Sequence, residues 1–134
     1  MKILLDTHIA LWAIADSKKL VSGVKTILES VENEIYYSTA SVWEVAIKHK
    51  LHPDKMPLSE QQFVEFCEKA GFMQLCITVE QIYLLSTLER PENAPSHNDP
   101  FDRLMIAQAK KEKMKFITHD TLIPWYNEPC IYSV

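Results

Sequence analysis

Asp6, Glu44, Asp102 and Asp120 are spread over most of the chain, yet each falls at the same kind of place. Each lies at or just past the end of a short apolar run, or on the first turns of the helical segment that follows. Carboxylates gathered at one sheet edge repel, and two unit charges about 4 Å apart cost roughly 4 kcal/mol at an effective dielectric of 20. A hard divalent cation supplies the missing counter-charge. Mg²⁺ takes carboxylate and water oxygens in octahedral geometry, and Mn²⁺ accepts the same ligand types. One or two such ions can activate a water and stabilise the attacking and leaving oxygens of an in-line displacement at a phosphodiester.

Each acid also has a local explanation. Asp6 precedes a helical pattern starting at Thr7 and could cap it. Glu44 follows Ser41 by three residues, the spacing of a capping box, although Ile47 and Leu51 share its helical face and an acid on an apolar stripe needs a partner. Asp99 is well placed as an N-cap with Pro100 at the first helical position, which leaves Asp102 in a first turn where the helix dipole favours negative charge. Asp120 follows Phe116-Ile117-Thr118 and precedes a turn. Thr7 and Thr118 flank two of the acids and are candidates to orient a carboxylate or a water. Arg103, Lys48 and Lys50 could touch phosphates, whereas Lys110, Lys111 and Lys113 sit where cations complement a helix end.

Bringing these acids together requires parallel strands whose C-terminal ends converge. Apolar β-rich runs occur at Lys2–Leu5, Glu34–Tyr37, Met73–Ile77, Lys115–Thr118 and weakly at Cys130–Tyr132. Between them the spacing predicts helices over Thr7–Ala15, Ser17–Val31, Ala40–Leu51, Ser59–Ala70, Val79–Leu88 and Pro100–Lys113, with a short one near Thr121–Tyr126. Strands alternating with helices predict a three-layer α/β/α sandwich with a mostly parallel sheet of about five strands. In such folds ligands bind at the carboxyl edge of the sheet. The polar stretch Arg90–Pro100 is long enough to be a functional loop.

The 134 residues fit one domain, 1–134, with 47% apolar and 24% charged residues. The opening MKILLDTHIALWAIAD would pass for a secretory signal without Asp6 and His8, but a charged Asp costs roughly 2.5–3.5 kcal/mol on insertion scales. Three scattered cysteines and the lack of a membrane-length apolar run predict a soluble, cytoplasmic protein. A net charge of −4 argues against holding nucleic acid by bulk electrostatics alone. Two glycines cannot build a Walker loop or a dinucleotide fingerprint. The five histidines show no spacing that pairs them for metal-free acid–base catalysis. His8 stands where an aspartyl phosphatase would carry a second Asp, and no lysine occupies the late strand end that a receiver domain requires.

The stretches LLDTHIALW, SVWEVAIK, NDPFDRLMIAQA and FITHD resemble the acidic motifs of PIN-domain nucleases, in the family's order, and within that family those of VapC-like toxins. The resemblance runs from Met1 to about Trp125. It implies that Asp6, Glu44, Asp102 and Asp120 hold Mg²⁺ or Mn²⁺ and carry catalysis, with Asp99 as an accessory candidate beside Thr7, Thr118 and Arg103, which their positions suggest. It further implies an endoribonuclease acting on RNA, inhibited by a cognate antitoxin and homodimeric. The broad apolar faces of Ser17–Leu28 and Ala40–Leu51 offer a groove for an antitoxin segment. The competing expectation is a non-catalytic regulatory or interaction domain with an acidic pocket.

Overall fold

The strand Lys2–Leu5 (β1) lies at the centre of the molecule, and the computed structural model describes residues 1–134 around it. It is followed by helices Thr7–Ile14 (α1) and Ser22–Glu29 (α2), strand Glu34–Ser38 (β2), and helices Thr39–Leu51 (α3) and Glu60–Lys69 (α4). Strand Met73–Leu75 (β3), helices Val79–Tyr83 (α5) and Pro100–Glu112 (α6), and strands Lys115–Thr118 (β4) and Ile131–Ser133 (β5) complete the fold. The five strands form one sheet in the order β3-β2-β1-β4-β5, and every pairing is parallel. The chain builds outward from β1 to β3, then crosses back to place β4 on the other side of β1. That reversal is a topological switch point, and it opens a crevice at the carboxyl ends of β1 and β4.

The period-2 alternation of the strands makes two cores. Ile3, Leu5, Ile35, Tyr37 and Ile117 face α1, α2 and α4, where they bury Ile9, Val24, Phe63 and Cys67. Leu4 and Phe116 face the opposite way, onto Met105, Ile106 and Ala109 of α6 and onto Ile123 and Tyr126. Helices therefore cover both sides of the sheet, as the strand–helix alternation predicts.

Several boundaries differ from those predicted. The expected helix Ser17–Val31 is reduced to α2, because the chain turns at Asp16 in the left-handed region (φ 48°) and Ser17–Val21 is not helical. The apolar side of this segment is also spent inside the molecule, since Leu20, Val24, Ile27 and Leu28 pack into the first core. Val79–Leu88 splits into α5 and a 3₁₀ turn at Leu84–Thr87. There the Ser86 and Thr87 hydroxyls donate to the carbonyls of Tyr83 and Leu84, competing with regular helix. The third strand stops at Leu75 because Ile77 donates its N–H to Thr39 Oγ1 and Thr78 caps α5. Thr121–Tyr126 contains a 3₁₀ helix over Ile123–Tyr126, and the last strand is shifted one residue onward. No helix is long and apolar enough to cross a membrane.

Candidate active site

Asp6 ends the central strand, and the capping explanation does not account for its orientation. Its side chain makes no capping bond to α1. Instead Thr118 Oγ1, from the neighbouring β4, donates to Asp6 Oδ2 at 2.6 Å. The same hydroxyl receives the Asp120 N–H at 3.1 Å, so one threonine ties two of the acids together. Burial pushes the Asp6 carboxyl above its ordinary range, against the opposing pull of the Thr118 bond.

Glu44 is buried on the second turn of α3 and is not the acid of a capping box. The N-cap is Ser38, whose hydroxyl accepts from Ala40 N–H. Ser41 lies 2.7 Å from Thr7 Oγ1, and that threonine donates to Glu44 Oε1 at 2.7 Å. Lys48, one turn on, donates to Oε2 at 2.6 Å. Ile47 and Leu51, expected to form a stripe with Glu44, are exposed, as is Trp43. Glu44 therefore answers to a lysine and a threonine rather than to the apolar side of its helix.

Asp99 does cap α6: its Oδ1 accepts from the Phe101 and Asp102 N–H groups at 2.9 and 3.2 Å. It also lines the same crevice as the other acids. Asp102 follows in the first turn, buried, with its Oδ2 3.0 Å from His97 Nε2. Burial first, then the Asp6, Asp99, Asp120 and Glu44 charges, push its carboxyl up to about 8. Asp120 accepts the Leu122 N–H through Oδ1 at 2.7 Å. Arg103 does not reach the acids. Its guanidinium donates to the Tyr126 hydroxyl and the Leu85 carbonyl.

The four predicted acids and Asp99 thus line one cavity of about 300 Å³, together with Lys19, Lys48, His8, Trp12 and His119. A larger hollow of about 760 Å³ lies against Tyr126 and Pro124, but it contains none of these acids. Asp6, Asp99, Asp102 and Asp120 each commit one carboxylate oxygen to a protein hydrogen bond and leave the other without a protein partner. Hard oxygen donors of this kind suit Mg²⁺ or Mn²⁺, and burial raises both the Asp6 and the Asp102 carboxyl, with the neighbouring acids adding to the rise at Asp102. Ligand atoms of His97, Asp102 and Asp120 lie within 4.8 Å of one another. His97 went unassigned in the sequence. Its one signal is position, two residues before a helix-capping Asp in a loop already marked as functional.

Several solved structures share this fold. VapBC2 from Rickettsia felis, crystallised with a DNA fragment from their promoter, matches with a TM-score of 0.69 at 15% identity, covering 100% of this chain and 98% of that one. FitAcB from Neisseria gonorrhoeae matches with a TM-score of 0.64 at 19% identity, over 98% and 96%. A toxin–antitoxin complex from Klebsiella pneumoniae gives 0.59 at 16% identity, over 98% and 99%. No curated protein matches in sequence. The family model of the PIN domain matches residues 3–124, a span that holds all four acids and the switch point between them; the chain belongs to the PIN-domain family.

Proposed function

We propose that residues 1–134 form a single Mg²⁺- or Mn²⁺-dependent endoribonuclease domain, acting in the cytoplasm as the toxin of a toxin–antitoxin pair. The observation that carries this reading is the convergence of Asp6, Glu44, Asp102 and Asp120 on one cavity at the sheet's switch point. Asp6, Asp102 and Asp120 would hold the cation through their uncommitted oxygens. Glu44, whose two oxygens already accept from Thr7 and Lys48, would contribute its remaining lone pairs, directly or through water. When bound, the cation supplies a water activated for attack and a counter-charge for the phosphodiester. Thr118 fixes the Asp6 carboxylate, Thr7 fixes Glu44, and Lys19 and Lys48 place positive charge on the cavity wall for the RNA backbone.

The antitoxin reading draws on the toxin–antitoxin complex from Klebsiella pneumoniae among the structural neighbours. It also draws on an apolar groove of about 600 Å³ lined by Leu11, Ile14, Met56 and Phe66. The groove shares His8, Trp12 and Lys19 with the acidic cavity, so a segment lying in it would reach the acids. The exposed Val79, Ile82 and Tyr83 of α5 offer an apolar face for a homodimer.

The test is cleavage of a mixed RNA pool by wild type and Asp6→Asn, each in EDTA and in Mn²⁺. Cleavage is expected only for wild type in Mn²⁺, with the variant reduced about 100-fold or more, the scale of losing a main electrostatic contribution. Equal cleavage by both would sink the assignment. A wild type whose melting temperature rises in Mn²⁺, yet which cuts no RNA, would instead favour the non-catalytic acidic-pocket domain.

A further inference from the structure

Asp102 is held differently from the other acids. Asp6 leans on a threonine and Glu44 on a threonine and a lysine, whereas the side-chain partner of Asp102 is a histidine whose side chain is only 4% exposed. That imidazole is engaged at both nitrogens: Nε2 lies 3.0 Å from Asp102 Oδ2 and Nδ1 lies 2.7 Å from the Tyr126 hydroxyl. Arg103 Nη1 donates to the same hydroxyl at 3.2 Å, and Arg103 Nη2 is anchored on the Leu85 carbonyl. The guanidinium carbons of Arg90 and Arg103 lie 5.4 and 5.6 Å from the centre of the Tyr126 ring, which fixes the ring in place.

The direction of these bonds follows from counting protons. A phenol has one O–H, and Arg103 can only donate. If Nδ1 also donated to Tyr126, the hydroxyl would face two donors and its own proton would have no acceptor in the chain. With the hydroxyl donating to Nδ1, every group is satisfied, and the proton of a neutral imidazole sits on Nε2, directed at Asp102. His97 then has no lone pair left for a cation, although it lies close enough to Asp102 and Asp120 to be grouped with them.

We propose that Arg103, Tyr126 and His97 form an orienting relay, in which His97 is a positioning residue that fixes the Asp102 carboxylate plane and leaves Oδ1 for the cation. This rests on the reading of Asp102 as a cation ligand. A neutral imidazole suits the task because it restrains a carboxylate without adding a positive charge to compete with the metal, as a lysine in its place would. Arg103, which the sequence suggested as a phosphate contact, acquires a role at the far end of the relay. The polar loop Arg90–Pro100 acquires one through His97.

The test uses the full chain and two readouts other than RNA cleavage. Ring-nitrogen NMR of His97 is expected to show the Nε2-protonated tautomer without metal and to retain it at saturating Mg²⁺. Loss of the Nε2 proton on adding Mg²⁺ would make His97 a ligand and overturn the relay. Calorimetric titration is expected to show Mg²⁺ and Mn²⁺ affinities falling in parallel, about 10- to 100-fold, in His97→Leu, the usual loss when a group supporting a ligand is removed. His97→Gln, which keeps an N–H donor, is expected to recover most of that affinity, and Tyr126→Phe to show a smaller loss. Because both keep the core filled, they carry the test if His97→Leu does not fold. Wild-type affinity in His97→Leu and Tyr126→Phe would overturn the relay alone. A wild type that binds neither ion would overturn the reading of Asp102 as a ligand, and the relay with it.

Discussion

Asp102 is buried among the other acids, and its protonation should be visible in the stability of the metal-free protein. Its carboxyl titrates near 8 in the folded chain against an ordinary 3.8, so between those values the folded state holds a proton that the unfolded state has released. Stability is then full below about pH 4 for this group and is lost as pH rises toward 8. Asp6, raised in the same direction, adds to the loss. Asp102→Asn removes the charge while keeping the shape. In EDTA at pH 8 it is expected to melt roughly 3–6 °C higher than wild type, about what 1 kcal/mol is worth in a domain of this size. It should also lack the rise in melting temperature expected of wild type in Mn²⁺. An Asn variant that melts lower than wild type at pH 8 would mean that the carboxylate is stabilised in place. At this scale the acids were legible in the sequence because strand ends and helix starts converge by topology. His97 was not legible, because its meaning lies in Tyr126, a residue far along the chain that only the fold brings within 2.7 Å.

The elements place these residues through their ends. Ser59 and Thr78 form capping boxes, and Asp99 with Pro100 starts α6 so that Asp102 falls in its first turn. At the other end of α6, Lys113 closes the helix in the left-handed conformation (φ 57°), which glycine adopts without a Cβ penalty. Lys113→Gly is expected to stabilise the protein by about 1 kcal/mol, measured by urea denaturation, with Mn²⁺ affinity unchanged. A loss of stability would show that the Lys113 side chain holds something the backbone does not. Strand identity was legible from short apolar runs, since Ile3, Leu4 and Leu5 are all apolar, as a parallel strand buried on both faces requires. Helix ends were less so. The hydroxyls of Ser86 and Thr87 shorten α5 by bonding back to the chain, and the turn at Asp16 delays α2. Both effects are local competitions that an apolar repeat does not register.

At the scale of the molecule, the surface keeps apolar groups that no core has claimed. Val79 and Tyr83 are 57% and 70% exposed on α5, with Ile82 between them. If they join two copies, the double variant Val79→Lys, Tyr83→Lys should weaken self-association at least about tenfold in sedimentation analysis. The melting temperature of the monomer should barely change, as surface substitutions usually shift stability by less than about 0.5 kcal/mol. An unchanged dimer would move the interface elsewhere, with the exposed Trp43, Ile47 and Leu51 of α3 next in line. The bond from Thr118 to Asp6 joins residues 112 positions apart. A ribosome making this chain releases Asp6 more than a hundred residues before Asp120, and until β4 slides in beside β1 the first acid lacks its threonine. The acidic cavity is therefore incomplete for nearly the whole of synthesis, and whatever chemistry it carries begins only once the fourth strand has docked.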